Sequence, residues 1–296
     1  MAADRLLDLA CFSYLADAQV LRVGVYPRPN GGAVVNQVAA SIAADGPLAA
    51  VTASALGLRT GLISNGVGDD PAGQRLLAWL HDAGVHYPER RGRTGITPQI
   101  TVVDDATTRT WFAALQHAYD ELEQVDLDLF ERARLGYVDC YRVITTAAAR
   151  AITAAGSTPL ILNLGSDPLH DAIIAASSDR RIAVVQTGLD EANADQAEKV
   201  GWQLLDLLHP DTAVVTLGAL GAIAVTRGGV HRVLAPKVPV THTHGAGAAF
   251  SAGYAHALLT GADVPAALAS GCEAGAWHCT GPAAPVPRRL PAALAA

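Results

Sequence analysis

Short apolar runs alternate along this chain with segments of helical periodicity. Leu135 to Val138, Leu160 to Leu164, Ile182 to Gln186, Ala213 to Leu217 and Ala222 to Thr226 are brief and strongly apolar, with turn-forming or polar residues at their ends, as buried strands require. Helical spacing covers Ala147 to Ala155, closed by Gly156, then about Ala192 to Leu208, Ala248 to Leu259 and Pro265 to His278. Pro71 to Ala83 carries a proline start and a glycine stop at Gly84. Leu48 to Leu58 is alanine-rich and reaches a turn at Gly57, and the stretch from Arg59 gives a short strand with a glycine-rich exit. Gln19 to Val25 reads as a strand, and Ile96 to Val103 pairs with Thr107 to Ala114 as a hairpin across Asp104-Asp105. This alternation predicts an α/β fold, whose ligands gather at the carboxyl ends of the strands. No repeat and no shift in composition marks a second unit, so residues 1–296 are expected to form one domain, with a poorly folded proline-rich tail after Gly281.

Composition narrows the function. Half the residues are hydrophobic and 17% are charged, enough to build a large core and exclude general disorder. The net charge of −7 argues against a nucleic-acid surface. Val238 to Ala262 is uncharged and long enough to cross a bilayer by count, but it holds His242, His244, His256 and several glycines, so it reads as buried loop plus helix and no membrane association is expected. Acids at Asp4 and Asp8 do not suit a secretory leader. Cys11, Cys140, Cys272 and Cys279 lack CxxC spacing, which predicts reduced thiols in a cytoplasmic protein and no zinc site.

The densest chemistry lies in His242-Thr243-His244-Gly245-Ala246-Gly247, which follows an extended Val238-Pro239-Val240 stretch and opens a helix. Two glycines let backbone N–H groups approach an anion, and the helix start adds a positive dipole end. The same spacing also serves a tight strand-to-helix turn. His242 and His244 stand two apart, so an extended backbone turns them to one side; either an acid/base role or backbone hydrogen bonding suits them. His278, late in the last helix, reads as structural. Asp70, before Pro71, reads as a helix cap rather than an acid/base group. Arg109 in the hairpin reads as a solvated charge within reach of a substrate phosphate.

Thr243-His-Gly-Ala-Gly-Ala-Ala-Phe-Ser-Ala-Gly253 resembles the C-terminal signature of the ribokinase (PfkB) carbohydrate kinases, Asp-Thr-x-Gly-Ala-Gly-Asp-x-Phe-x-x-Gly. Asp17 falls where that family has a substrate-binding aspartate. Gly31-Gly32 with Asn36 resembles its Gly-Gly-x-x-x-Asn sugar motif. Gly66-Val-Gly-Asp-Asp-Pro-Ala-Gly73 resembles the next block, and Val214 to Gly221 resembles the nucleotide-side strand and loop, with Thr216, Gly218 and Gly221 as contacts. The ordered set covers residues from about 12 to 285. The resemblance implies a central, mostly parallel sheet flanked by helices, and a small β lid from about 12–29 and 96–114 that also serves a homodimer. It further implies ATP and magnesium, and a polyol, sugar or nucleoside whose hydroxyls Asp17 and Asn36 would contact. The residue-level alternatives are a turn residue before the strand for Asp17, and an ordinary polar position on the helix it opens for Asn36.

The chain departs from that pattern at its chemical centre. The signature's last aspartate, the base that takes the hydroxyl proton, is matched by Ala248, and the first by His242. The magnesium motif Asn-x-x-Glu is matched by Gly188-Leu-Asp-Glu191, which keeps Glu191 alone. The anion hole Gly245-Ala246-Gly247 survives. Three readings follow: a kinase of weak or altered activity in which His244, His242 or a water replaces the base; a non-catalytic pseudokinase that binds a ligand or partner; or a repurposed enzyme using His242 or His244 on a phosphorylated substrate.

Overall fold

The computed structural model describes residues 7–88, 92, 95–105, 109–115 and 118–284. The tail expected to be poorly folded lies outside them from residue 285, as does Thr107, the expected start of a strand.

Two sheets organise the chain. The larger has eight strands: β1 (Leu7–Phe12), β4 (Thr60–Ile63), β7 (Ala133–Asp139), β8 (Leu160–Asn163), β9 (Ile182–Gly188), β10 (Thr212–Thr216), β11 (Ala222–Thr226) and β12 (Gly229–Val233). Their order is β12-β11-β10-β9-β8-β7-β1-β4. All pairs from β4 to β10 are parallel, and β11 and β12 close the edge antiparallel. The parallel strands are buried on both faces, which explains their unbroken apolar runs. Alternation along β1 sends Leu9 and Cys11 to one core, Ala10 and Phe12 to the other.

Helices cover both faces. Against Leu9, Leu62 and Val214 pack α1 (Asp45–Ala55), α2 (Pro71–Asp82), α7 (Ala246–Leu259) and α8 (Val264–His278). Against Phe12, Val138 and Val215 pack α4 (Thr145–Ala154), α5 (Asp171–Ser177) and α6 (Ala197–Leu208), with α3 (Ala118–Leu122) beside them. Asp70 caps α2 by accepting from the Gly73 N–H at 2.8 Å, with Pro71 in the first turn. α7 is apolar all round and buried along nearly its whole length, including the Ala248 methyl.

The second sheet has order β3-β2-β5-β6, from β2 (Ala16–Val23), β3 (Val35–Ala43), β5 (Gln99–Asp104) and β6 (Arg109–Ala114). The expected hairpin is its β5–β6 pair. Beyond elements that were not read at all, such as β1, α5 and β12, the structure departs from the sequence reading as follows. Phe12 ends a strand of the large sheet, outside this one. β3 is a strand with largely exposed side chains, so the short polar-apolar alternation around Asn36 pairs with β2 and opens no helix. The helix expected from about Ala192 is a 3₁₀ turn over Glu191–Gln196, broken at Asn193, followed by α6. Among the described residues no helix is long and apolar enough to cross a membrane.

Candidate active site

A cleft of about 360 Å³ lies between the four-stranded sheet and the carboxyl ends of β7 to β10. The small sheet contributes Ile100, Val102, Arg109 and Trp111; the large one contributes Asn163, Gln186, Gly188 and Thr216 with the loops that follow. The starts of α1 and α7 face it through Asp45 and through Gly245 and Gly247.

At α7, Gly245 adopts a positive φ of 80° as the residue before the helix. A side chain there would meet the His278 Nε2 at 2.8 Å and the Leu48 Cδ1 at 3.0 Å, so the close approach requires glycine. A Cβ on Gly247 would meet nothing within 4 Å, and this residue lines the cleft. Among the described residues no acceptor is bonded to the N–H groups of Gly247 or Ala248. Gly247 faces the cleft and Ala248 is fully buried behind it, so the accessible N–H that suits an anion is that of Gly247.

Three histidines surround it. His242 Nδ1 and His278 Nε2 both donate to the His244 carbonyl, at 3.1 and 2.9 Å, and their rings meet edge to face at 5.1 Å. His244 turns its own Nε2–H to the Ile42 carbonyl at 2.9 Å, leaving Nδ1 as the lone-pair nitrogen. Burial, opposed by that hydrogen bond and reinforced by the Arg109 charge, holds the His244 pKa below the usual imidazole value. His244 is therefore neutral at neutral pH, and it lines the cleft. His242 is buried behind it, its pKa also lowered by burial.

The start of α1 is furnished differently. Asp139, fully buried at the end of β7, accepts from the Gly46 N–H at 2.8 Å and so caps α1 from within. Its other oxygen accepts from the Tyr137 hydroxyl at 3.0 Å and Asn163 Nδ2 at 2.8 Å. Asn163 Nδ2 also reaches Asp45 at 3.0 Å. Its Oδ1 accepts from the Gly165 N–H at 3.1 Å, which fixes the amide's orientation. Burial first, and then the Asp45 charge, push the Asp139 pKa up to about 7.

Of the residues expected from sequence, the cleft gathers His244, Gly245, Gly247 and Thr216. Ala246 is the first residue of α7. Ala248 presents only a buried methyl. Asp17 is elsewhere: it sits on β2, nearly buried, and pairs with Arg75 of α2 at 2.7 Å. Gly31, Gly32 and Asn36 are exposed, on the β2–β3 connection and on β3, away from the cleft. The helix they were expected to open starts instead after Ala43-Ala44, where Ala44 adopts φ 72° and ψ 153°, a backbone region that favours glycine. Gly218 and Gly221 shape the β10–β11 turn; a Cβ at Gly221 would lie 2.0 Å from the Val233 carbonyl. Glu191 accepts from the Ala219 N–H of that turn at 2.8 Å through one oxygen. Among the described residues no group of three or more His, Cys, Asp or Glu could hold a metal ion. Sequence reading missed Asp45, Asp139 and Asn163, although an acid before Gly46-Pro47 and polar residues ending apolar strands were the available signals.

A cleft at the carboxyl ends of parallel strands is the usual ligand position in an α/β fold, and sequence comparison names the family. The profile of the pfkB family carbohydrate kinases matches residues 49–288, and the chain belongs to that family. Solved structures share the fold at low identity. Ribokinase from Thermotoga maritima is 18% identical with a TM-score of 0.74, covering 96% of this chain and 97% of its own. The microbiome-derived acarbose kinase Mak1 is 20% identical, with a TM-score of 0.72 and 93% of both chains covered. Arabidopsis thaliana ribokinase, solved with ribose and ATP, is 18% identical, with a TM-score of 0.70 and 93% of both chains covered. No curated protein matches the chain in sequence.

Proposed function

We propose that the protein is an ATP-dependent kinase acting on a hydroxyl of a sugar, cyclitol or nucleoside, with His244 in place of the family's aspartate base. The observation that carries this reading is the start of α7, where Gly247, bare of a side chain and with an N–H that has no partner among the described residues, adjoins a neutral imidazole. The γ-phosphoryl group would lie against the Gly247 N–H at the start of α7, whose fixed dipoles stabilise the charge that spreads over its oxygens during transfer. His244 Nδ1 would take the acceptor hydroxyl's proton, the task Ala248 has no atom to perform. Thr216 and Gly188 line the cleft on the nucleotide side, beyond which Gly218 and Gly221 hold the turn. Magnesium fits as a partner of the nucleotide rather than as a resident ion, since Glu191 keeps one oxygen for a bridging water and magnesium commonly takes few carboxylates. It would neutralise phosphate charge. The acceptor's polyol would occupy the end walled by Tyr14, Asp45 and Asn163. The ribose, ATP and acarbose named for the similar kinases are consistent with such ligands.

A panel of sugars, cyclitols and nucleosides with ATP and magnesium tests the reading. Transfer to one of them, lost by about two to four orders of magnitude in His244→Ala while ATP binding persists, is expected. Nucleotide binding without transfer to any acceptor would support instead the pseudokinase reading, which the buried Ala248 methyl favours.

We also propose that two copies pack through the outer face of the four-stranded sheet, where Val38 and Phe112 are 59% and 56% exposed. A monomeric mass by light scattering would contradict this.

A further inference from the structure

The part of the cleft beside α1 carries negative charge without a salt-bridged cation among the described residues. Asp45 lines it, and Asp139 lies buried behind. Neither makes a salt bridge to arginine or lysine among the described residues. The lining cations, Arg109 and Arg142, are exposed; Arg109 donates to the Thr243 carbonyl, on the α7 side. A second and independent feature is Tyr14. It is only 7% exposed, it lines the cleft, and its hydroxyl has no partner among the described residues. Its ring lies 6.2 Å from that of Tyr141, which also lines the cleft. Both phenols stay protonated, because burial and then the charges of Asp139 and Asp45 push their pKa values up. Trp111, on the opposing small sheet, offers a half-exposed ring to the same space.

We propose that this end of the cleft binds a protonated amine, and that the acceptor is an amino sugar or aminocyclitol rather than a neutral polyol. The inference rests on the kinase reading of the cleft and names its substrate class. The Asn163 amide fixes the polarity: its NH₂ spans Asp45 and Asp139, leaving Asp45 Oδ1 without a partner among the described residues. An ammonium group donates to that oxygen and to the Tyr14 hydroxyl oxygen, and the Trp111 face adds cation–π attraction. A bare metal ion is disfavoured, because the Asn163 NH₂ rather than its oxygen faces the carboxylates.

Asp139 provides an internal reporter. The groups facing it are Asp45 from α1, Asn163 from β8, Tyr137 on its own strand, Cys140 next to it, and Cys11 and Ser13 from β1 and its exit, with Tyr14 and Tyr141 beyond; Asp45 is the other acid. With its carboxyl near neutrality, a cation placed beside Asp45 favours ionisation, so binding releases part of a proton.

The test is calorimetric titration, without nucleotide, at pH 7 in two buffers of different ionisation enthalpy. The probes are glucosamine, galactosamine and 2-deoxystreptamine, each beside its N-acetylated twin, with potassium chloride alone as the inorganic arm. At least one amine is expected to bind about tenfold or more tightly than its twin, with proton release. In Asp45→Asn, checked for an unchanged melting temperature, that ratio should fall to about one. If Asp45→Asn does not fold, Tyr14→Phe replaces it and should reduce the ratio. Equal binding of every pair, no binding of any amine, binding of potassium alone, or a preference that survives the substitutions would overturn the proposal. ATP titration of the same samples separates the readings: ATP binding with no amine preference sinks this inference alone, whereas amine preference without ATP binding sinks the kinase.

Discussion

Two helices open on one cleft, and their starts are built in opposite ways. Before α1 stands Ala44 at φ 72°, and before α7 stands Gly245 at φ 80°; neither helix has a side-chain cap from that residue. The α1 start is filled from inside by Asp139 and carries Asp45 into the cleft. The α7 start has no acid, and its Gly247 and Ala248 N–H groups lack partners among the described residues. A helix start is an anion site only while it is empty. One start is thus capped by the protein's own carboxylate, and the other carries none. In the family pattern the carboxylate belongs to α7; here the acids stand at α1, and the imidazole of His244 spans the gap by bonding to Ile42 just before it.

The largest expected effect breaks the chemistry at α7 without touching α1. His244→Ala should lower the transfer rate by about two to four orders of magnitude. In the wild type, the pH–rate profile should fall on the acid side with a pKa below the ordinary imidazole value of about 6.5, because burial favours the neutral ring, and should be flat above it. Next comes the fold of the α7 turn. Gly245→Ala places a methyl against His278 and Leu48 at positive φ, and should cost about 2 to 4 kcal/mol by urea titration. The mirror substitution at α1, Ala44→Gly, relieves the strained backbone and should stabilise by about 1 to 3 kcal/mol in the same experiment. The last prediction is a slope. The Asp139 pKa is raised above its unfolded value of about 4, so the folded state holds the proton between about pH 4 and 7. Its contribution is present at low pH and is lost as pH rises through about 7. Asp139→Asn removes this dependence, and its stability relative to wild type should rise over that interval.

Much of the large sheet was legible because strands buried on both faces have nowhere to put polar residues; β7, β8 and β10 stand within a few residues of their apolar runs. The edge strand β12 and the strand β3 of the smaller sheet were not legible, since exposed side chains blur the alternation. The α7 turn could be read because glycine is required there and present. The α1 turn could not: Ala44 occupies a glycine-like conformation, so a search for a glycine pair fell on Gly31-Gly32, in an exposed loop. The family profile likewise begins only at residue 49, after this turn. Asp17 pairs through one oxygen with Arg75, a contact between residues 58 positions apart that no local pattern encodes. His278 was read as structural, and its hydrogen bond to the His244 carbonyl shows that it braces the candidate anion site.

The most direct test of an open phosphate cradle at α7 is calorimetric titration of ATP with magnesium into the wild type and Gly247→Ala. The added methyl meets no protein atom within 4 Å, so folding should be untouched while the space facing the cleft is filled. Binding near the micromolar range in the wild type, weakened about tenfold or more in the variant at an unchanged melting temperature, is the predicted result. Equal affinity in both proteins, or no binding by the wild type, would contradict the account.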